Sequence, residues 1–391
     1  FAAGLLAGLI SGLPLLLPPN RSVGALSELR SMYPGAVLLH EPGREDPQWP
    51  SDWARLAVAL PEAGAGHAEP VAVPEPERVV AVAHTSGSTG RPRPAVKSWD
   101  CLKRGSAAAI RRFGFDADAR LVATVPPQHM YGFELGILVP LFSGTRAWRG
   151  MPFYPADVQA ALQAMGEGST LVTTPLHLRA LVRSGLEWPR LACIISATAP
   201  LDVDLAAEAE RLFGAPVMEI YGCTEAGSMA SRRTVEEAGW QPYQGMVFDI
   251  AEDGRAEVSA DWLPERVVPG DLLEPVAGGR FRLVGRQADL VNIAGKRVSL
   301  SDLNLRLNAI EGVHDGVFVP PEEEGGRLRA VVVAPELDDR AILDALAAQL
   351  DPVFLPRPLY RVERLPRNAT GKLPSADLQA LLDRLSEQRR A

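Results

Sequence analysis

The chain is short of several residue types, and each shortage removes a class of function. It has three cysteines in 391 residues. Cys101, Cys193 and Cys223 stand far apart in no CxxC or Cys/His spacing, so neither a disulfide framework nor a zinc site is indicated, and a reducing cytoplasm is the default setting. The six histidines, at positions 40, 67, 84, 129, 177 and 314, form no HExxH and no other i,i+4 pair, which argues against a transition-metal centre. Long basic runs are missing and the net charge is −8, which argues against nucleic acid or an anionic membrane surface as the partner. Lysine is scarce. Only Lys97, Lys103, Lys296 and Lys372 stand among forty basic residues, so arginine is the ordinary cation and a lysine at a motif position is informative.

What is present is enough to bury a large core: 47% of the chain is hydrophobic, and the length predicts two or three domains. The uncharged opening, Phe1 to Pro19, lacks the basic flank and small-residue cleavage site of a signal peptide, and Gly and Pro interrupt it as a membrane span. It reads as a core helix, Ala2 to Ile10, turning at Ser11 and Gly12 into a buried strand, Leu13 to Leu17. Val37 to Leu39 reads as the next strand and Glu62 to Glu77 as a connector. Trp99 to Phe113 has helical spacing and Arg120 to Val125 reads as a strand. Strand, loop and helix then recur at Thr170 to Thr174, Ala192 to Ser196 and Pro216 to Ile220, a pattern that implies parallel sheets with ligands at the strands' carboxyl ends. From Phe248 to Leu283 short alternating runs with turns at Asp253–Gly254 and Gly278–Gly279 predict an antiparallel, barrel-like piece. The last hundred residues read as a small α+β domain: helix Leu300 to Ile310, strands Gly316 to Val319 and Leu328 to Ala334, helix Asp339 to Leu350. No repeat and no coiled coil is found.

Among these elements the stretch Val79 to Val96 stands out. A β-branched run, Val79 to Ala83, leads into Thr85, Ser86, Gly87, Ser88, Thr89 and Gly90, with Arg91 and Arg93 beside it. Hydroxyl groups and glycines at this density let backbone amides and side-chain O–H groups converge on one point, the arrangement that binds phosphate oxygens. No GK[ST] comes after it, so this is not a Walker A loop. Taken alone, a phosphate site and an ordinary Ser/Gly turn are equally good readings.

Five further stretches accompany it in order: PPQHMYGFE at 126–134, SATAPL at 196–201, YGCTE at 221–225, PGD at 269–271 with GRQADLVNIAG at 285–295, and LPRNATGKL at 365–373. With the loop, they span residues 79 to 373. In this register the chain resembles the adenylate-forming superfamily that includes acyl-CoA synthetases, aryl-acid ligases and peptide-synthetase adenylation domains. The resemblance implies an α/β large domain of stacked mixed sheets with flanking helices, residues 1–285, lacking an earlier segment at its front. It implies a hinge at 286–290 and a small mobile C-terminal domain, 291–391, carrying the catalytic lysine.

The same resemblance implies an ATP-dependent ligase that turns a small carboxylic acid into its acyl-adenylate and passes it to a thiol, either coenzyme A or the phosphopantetheine of an acyl-carrier protein. Two anions must then meet, so the site needs donors, cations and Mg2+ more than it needs a base. Ser86 to Gly90 and Thr85 would hold the β- and γ-phosphates with Arg93, which stands where the family usually carries lysine. Glu225 would bind magnesium and Thr224 the α-phosphate. Tyr221 and Gly222 would form one wall of the adenine slot and Ala197, Thr198, Ala199 and Pro200 the other. Asp271 would accept from both ribose hydroxyls, with Arg286 a second ribose or phosphate contact. Lys372 would bridge the substrate carboxylate and the α-phosphate. The usual hinge aspartate falls at Ala288, with Asp289 next in line.

His129, Met130, Tyr131 and Gly132, with Thr173, Thr174 and Ser196, would line or gate the acid pocket. Read without the resemblance, each of these residues is equally at home in packing, a turn or a surface ion pair. The compact chain and LLPPN at 16–20 are similar to the stand-alone ligases of aryl-polyene and xanthomonadin-type pathways, which load hydroxylated aryl acids onto a carrier protein. Arg357, Arg361, Arg364 and Arg367 would offer such an acidic carrier a docking patch. The rival reading is a catalytically weakened nucleotide-binding or scaffold homologue, to which Arg93 and Ala288 would be the pointers. A serine hydrolase is disfavoured because no GxSxG or SxxK pattern occurs.

Overall fold

The computed structural model describes residues 1–19, 23–43, 49, 53–58, 72–85, 93–236, 239–286, 290–293, 296–321, 326–368, 371 and 373–390. Its centre is a seven-stranded sheet. The order is Gln241–Pro242, Gly227–Arg233, Val217–Cys223, Leu191–Ser196, Ser169–Thr173, Arg120–Ala123 and Arg146–Ala147. The last five run parallel, while Gly227–Arg233 folds back antiparallel on Val217–Cys223. Past residue 220 the structure departs from the expected strand, loop and helix: a hairpin strand takes the place of the helix, because Thr224–Ala226 closes a tight turn at once.

Both faces of the parallel strands are apolar, as burial on two sides requires. Val122, Leu171, Ile194 and Val217 pack against the helices Pro155–Met165, Pro175–Val182 and Val203–Phe213. Leu121, Val172, Ile195 and Ile220, the neighbours that point the other way, pack with Ala108 and Ala109 of the helix Trp99–Phe113. That helix begins where Ser98 accepts a hydrogen bond from the Cys101 amide at 3.2 Å and ends at a left-handed Gly114. Its Leu102 joins a further core with Leu5, Leu9, Leu17, Val80, Phe133 and Leu138. The opening stretch is thus a core helix, Ala2–Ser11, and a short strand, Leu15–Leu17.

The strand Leu15–Leu17 pairs with Val79–Thr85, which in turn pairs antiparallel with Arg93–Ser98. Arg93 accordingly opens a strand, and the serine-rich segment connects the two strands of a hairpin. Two hairpins, Val247–Ile250 with Ala256–Ser259 and Asp271–Val276 with Arg280–Arg286, form the expected antiparallel piece. Bridges at Trp240–Phe281, Arg255–Leu272 and Val258–Val267 tie them together and to the main sheet's edge. The C-terminal part has cores of its own around Leu303, Leu307, Ala330, Val332 and Ile342, and around Val331, Leu365 and Leu382. Its three-stranded sheet, Asp315–Val319, Arg329–Val333 and Leu359–Arg361, is flanked by Leu300–Ala309, Asp339–Ala347 and Ser375–Arg390, the last of which the sequence reading omits.

Candidate functional site

The parallel strands Ser169–Thr173 and Leu191–Ser196 end side by side, with Thr173 opposite Ser196, and Ser196 stands opposite Glu219 of the next strand. The segment after Ser196 leaves the sheet sharply. Ala197 is buried, Ala199 and Pro200 are exposed, and Thr198 between them has φ of 83°. A β-branched residue in the left-handed region costs about 1–3 kcal/mol and persists only where neighbours over-determine it. Glu219 supplies that restraint. Its Oε1 accepts from the Leu201 amide at 3.0 Å, and its Oε2 accepts from Arg232 Nε at 2.7 Å and Thr234 Oγ1 at 3.1 Å.

Thr224 and Glu225 occupy the turn between Val217–Cys223 and Gly227–Arg233, Glu225 exposed and Thr224 half-buried. Gly222 is obligatory here, since a Cβ at this position would lie 2.4 Å from the Gly227 carbonyl oxygen. The buried Lys97 donates through Nζ to the Glu225 carbonyl, so the strand leaving the serine-rich segment holds the turn from behind. Burial pushes the neighbouring Cys223 thiol up to about 12, leaving it a neutral packing group.

Tyr221 is only 7% exposed and its ring packs among Trp240, Phe248 and Phe281, so the open part of this wall is the Gly222 backbone rather than the tyrosine face. The tyrosine hydroxyl donates to Asp271 Oδ2 at 2.7 Å, fixing the carboxylate at the start of its strand. Arg286 lies opposite Asp271 in register.

His129 is half-buried at the entrance to the short helix Met130–Phe133. Gly132 permits that helix to approach the preceding loop, where a Cβ would meet the Pro126 carbonyl oxygen at 2.2 Å. Of the other proposed pocket residues, Tyr131, Thr173 and Thr174 are engaged in internal hydrogen bonds, whereas the buried Ser196 hydroxyl has no partner among the described residues. Tyr131 donates to the carbonyls of Thr173 at 3.1 Å and Ile195 at 2.9 Å. Thr173 accepts from Thr124 at 2.9 Å, and Thr174 caps the helix Pro175–Val182 by accepting from the His177 amide at 3.3 Å. Thr173, Thr174 and Ser196 are all buried. Met130 lines a small cavity with Lys97, Cys101 and Glu134.

The C-terminal part reaches this region through Gly371, where a Cβ would lie 3.6 Å from Leu176 Cδ2 and 4.0 Å from Thr174 Oγ1. Arg367 anchors that loop: its guanidinium pairs with both Asp315 oxygens, at 2.6 and 2.7 Å, and donates to the Gly371 carbonyl at 2.8 Å. Arg367 is therefore engaged internally and drops out of the arginine docking patch. Lys372 and Ala288 lie outside the described residues, as do Ser86, Gly87, Ser88, Thr89 and Gly90. The backbones of Thr85 and Arg93 face each other at the mouth of that segment. Among the described residues no group of three His, Cys, Asp or Glu side chains is placed to hold a metal ion. Glu225, an exposed carboxylate, suits instead a magnesium ion that keeps water and phosphate oxygens as its other ligands.

The organising roles of Lys97, Glu134 and Glu219 escape the sequence reading. For the two glutamates the signal is a single charge inside an apolar run, as in VMEIYG and GFELGIL, which marks a buried polar group whose partner sequence alone does not name.

A family model described as AMP-binding enzyme matches residues 24–255. The 4-coumarate–CoA ligase of Halorhodospira halophila is 30% identical over 302 residues, covering 74% of this chain and 73% of its own. The 3-hydroxybenzoate–CoA ligase of Aromatoleum sp. (strain CIB) is 26% identical over 380 residues, 84% of this chain and 71% of its own. Among solved structures, the O-succinylbenzoate coenzyme A synthetase of Bacillus subtilis in complex with ATP and magnesium ion superposes with a TM-score of 0.81 over 97% of this chain and 86% of that one. At 18% identity this shows the fold alone. Matched by the family model over more than half its length, the chain belongs to the AMP-binding enzyme family.

Proposed function

We propose that the protein is an ATP-dependent acid–thiol ligase. The observation that carries this reading is the convergence at the strands' carboxyl ends: the strained Thr198 loop, the Thr224–Glu225 turn and the Asp271–Tyr221 pair all meet there. In the first step an oxygen of the substrate carboxylate attacks the α-phosphorus of ATP, the bond between the α- and β-phosphates breaks, and pyrophosphate leaves. Thr85 to Gly90 and Arg93 hold the departing phosphates, Thr224 donates to the α-phosphate, and Asp271 accepts from the ribose hydroxyls with Arg286 beside it. Ala197 to Pro200 and the Gly222 backbone enclose the base, while Tyr221 orients Asp271. Magnesium, when bound, neutralises charge on the phosphate oxygens, and Glu225 is the side chain that would hold it.

Lys372 bridges carboxylate and α-phosphate, carried on the loop that Arg367 anchors. In the second step a thiol sulfur attacks the acyl carbon and AMP leaves, with the thiol proton passing to solvent. Residues 1–285 act as the nucleotide- and acid-binding body, 286–290 as the pivot and 291–391 as the mobile arm that withdraws Lys372 between steps. His129 and Met130 border the acid's entry. Coenzyme A is the acceptor that both named relatives support, and an aryl acid the substrate class.

The test is pyrophosphate release with ATP, Mg2+ and a panel of free acids, hydroxylamine being present to trap the adenylate. Release stimulated by one acid class is expected, with subsequent transfer to coenzyme A. Transfer only to a carrier protein would revise the acceptor. ATP binding without release for any acid would leave a nucleotide-binding homologue.

A further inference from the structure

The turn after the strand Leu191–Ser196 is built on a residue that resists it. Thr198, with φ of 83°, is the one non-glycine residue with a positive φ among the described residues. A β-branched side chain gains nothing locally from this conformation, so strain of this kind points to a use for the shape it maintains. Ala197 before it is buried, and Ala199 and Pro200 after it are exposed. The ligase reading sets these residues against the nucleotide base and does not say what keeps the turn in place.

What meets the end of the turn is a buried carboxylate. Glu219 is 3% exposed on the strand Val217–Cys223, opposite Ser196 in register. Both of its oxygens are engaged. Oε1 accepts from the Leu201 amide at 3.0 Å, and Oε2 accepts from Arg232 Nε at 2.7 Å, from a second Arg232 nitrogen at 2.6 Å and from the Thr234 hydroxyl at 3.1 Å. A carboxylate this deep persists only when it is paired and fully hydrogen-bonded, and Arg232, on the neighbouring strand, supplies the opposite charge. Arg232 is itself fixed. Its guanidinium carbon lies 4.7 Å from the centroid of the Trp240 ring, and Trp240 packs on Tyr221 with ring centroids 5.7 Å apart. The contacts thus run from the Thr198 turn to the tyrosine of the opposite wall.

We propose that Glu219 and Arg232 are a positioning pair for the nucleotide site. The carboxylate, fixed by the guanidinium, holds the Leu201 amide and so keeps Thr198 in the left-handed conformation that shapes the base wall. Neither residue is asked to touch the nucleotide; both act through the turn. A carboxylate is required here because every partner donates: the Leu201 amide, the Arg232 guanidinium and the Thr234 hydroxyl. Glutamine would turn one acceptor into a donor facing donors, so either the turn or the arginine would lose its hold. This assignment rests on the ligase reading for where the base lies.

The experiment measures AMP binding to the full chain by calorimetry in a double-substitution cycle. Glu219→Gln is expected to weaken AMP binding about tenfold or more, the size of effect that backbone strain of this kind commands. In the Thr198→Gly background the same change is expected to cost about threefold or less, because glycine takes the left-handed conformation without strain. Denaturant unfolding checks every variant. Should Glu219→Gln not fold, Arg232→Met, at a half-buried position, goes through the same cycle with the same expectation. Undiminished binding in Glu219→Gln, or an equal loss in both backgrounds, would overturn the pair, since an equal loss is what a purely structural role gives. Failure of the unaltered protein to bind AMP would overturn the pair and the nucleotide site together. Pyrophosphate release on the same samples separates the two readings. A background-dependent loss in a protein that releases none with any acid keeps the pair and sinks the ligase, whereas release together with equal losses sinks the pair alone.

Discussion

The Tyr221 hydroxyl donates to the Asp271 carboxylate at 2.7 Å. Tyr221→Phe keeps the ring in its aromatic cluster and removes only that bond. It is expected to cost about 1–2 kcal/mol of stability in denaturant unfolding, because a buried acceptor loses a partner. With Asp271 on the ribose as proposed, KM for ATP should rise several-fold while kcat changes less, since such a contact is uniform through the reaction. Unchanged KM would remove Asp271 from the ribose. At Lys372 the opposite split is expected: Lys372→Ala should lower adenylation by about 10²-fold or more and spare ATP binding, as loss of charge stabilisation at the reacting oxygens does. Near-normal pyrophosphate release would end its assignment. These two residues differ in legibility. Lys372 stands out because lysine is rare and the loop contains glycine. The use Tyr221 makes of its hydroxyl is decided by a residue fifty positions away.

The helix Trp99–Phe113 is readable from end to end, with Ser98 as its cap and Gly114 as its stop. Ser98→Ala should cost about 1 kcal/mol in urea unfolding by freeing the Cys101 amide, and a loss below a few tenths would mean the cap is idle. The loop before Ser375–Arg390 depends on a contact across sequence. Arg367→Ala removes the paired contact to Asp315 and the hold on Gly371, and should destabilise by about 1–3 kcal/mol. Adenylation should fall further than a surface arginine would explain; thiol transfer from a preformed adenylate should change little. Equal loss of both half-reactions would show that Arg367 serves folding alone. Element boundaries are less legible than element types. The strand Arg120–Ala123 stops before the Val125 expected from its apolar run, and the helix from Asp339 stops at Ala347 rather than Leu350. Apolarity continues past both ends because those residues still pack, while the backbone has already turned.

At the scale of the molecule, two imidazoles are kept neutral in the interior. His84 sits between the Leu17 carbonyl, 3.1 Å from Nδ1, and the Tyr33 hydroxyl, 3.2 Å from Nε2. His177 lies 3.0 Å from the Thr124 hydroxyl. Burial lowers both from the ordinary value of 6.5, partly opposed at His84 by its backbone hydrogen bonds. The unfolded chain then takes up protons first as pH falls. Stability is full above about pH 6.5 and declines below it, by at most about 1.4 kcal/mol per pH unit for each histidine until its folded value is reached. Unfolding midpoints between about pH 8 and pH 5 should show this fall, and His177→Gln should flatten it; an equal fall in the variant would assign the effect elsewhere. Among the contacts between the two parts of the chain, Arg179 reaches Asn308 and Arg183 the Val313 carbonyl, both at 3.4 Å. Among the described residues no helix is long and apolar enough to cross a membrane.

The sequence by itself determined what is local or periodic: which segments alternate or repeat as strands and helices, and where glycine and proline break them. It also determined the order of the motifs that place the chain in its family. Hydrophobic period and turn chemistry act within a few residues, so they can be read without the fold. Only the tertiary structure decided the partners of the buried charges. Glu219 holds the Thr198 loop, Lys97 backs the Glu225 turn, and Glu134 accepts from the Ser228 amide and hydroxyl. A buried charge is tolerated only where groups distant in sequence satisfy it, and their identity exists once the chain has closed around them.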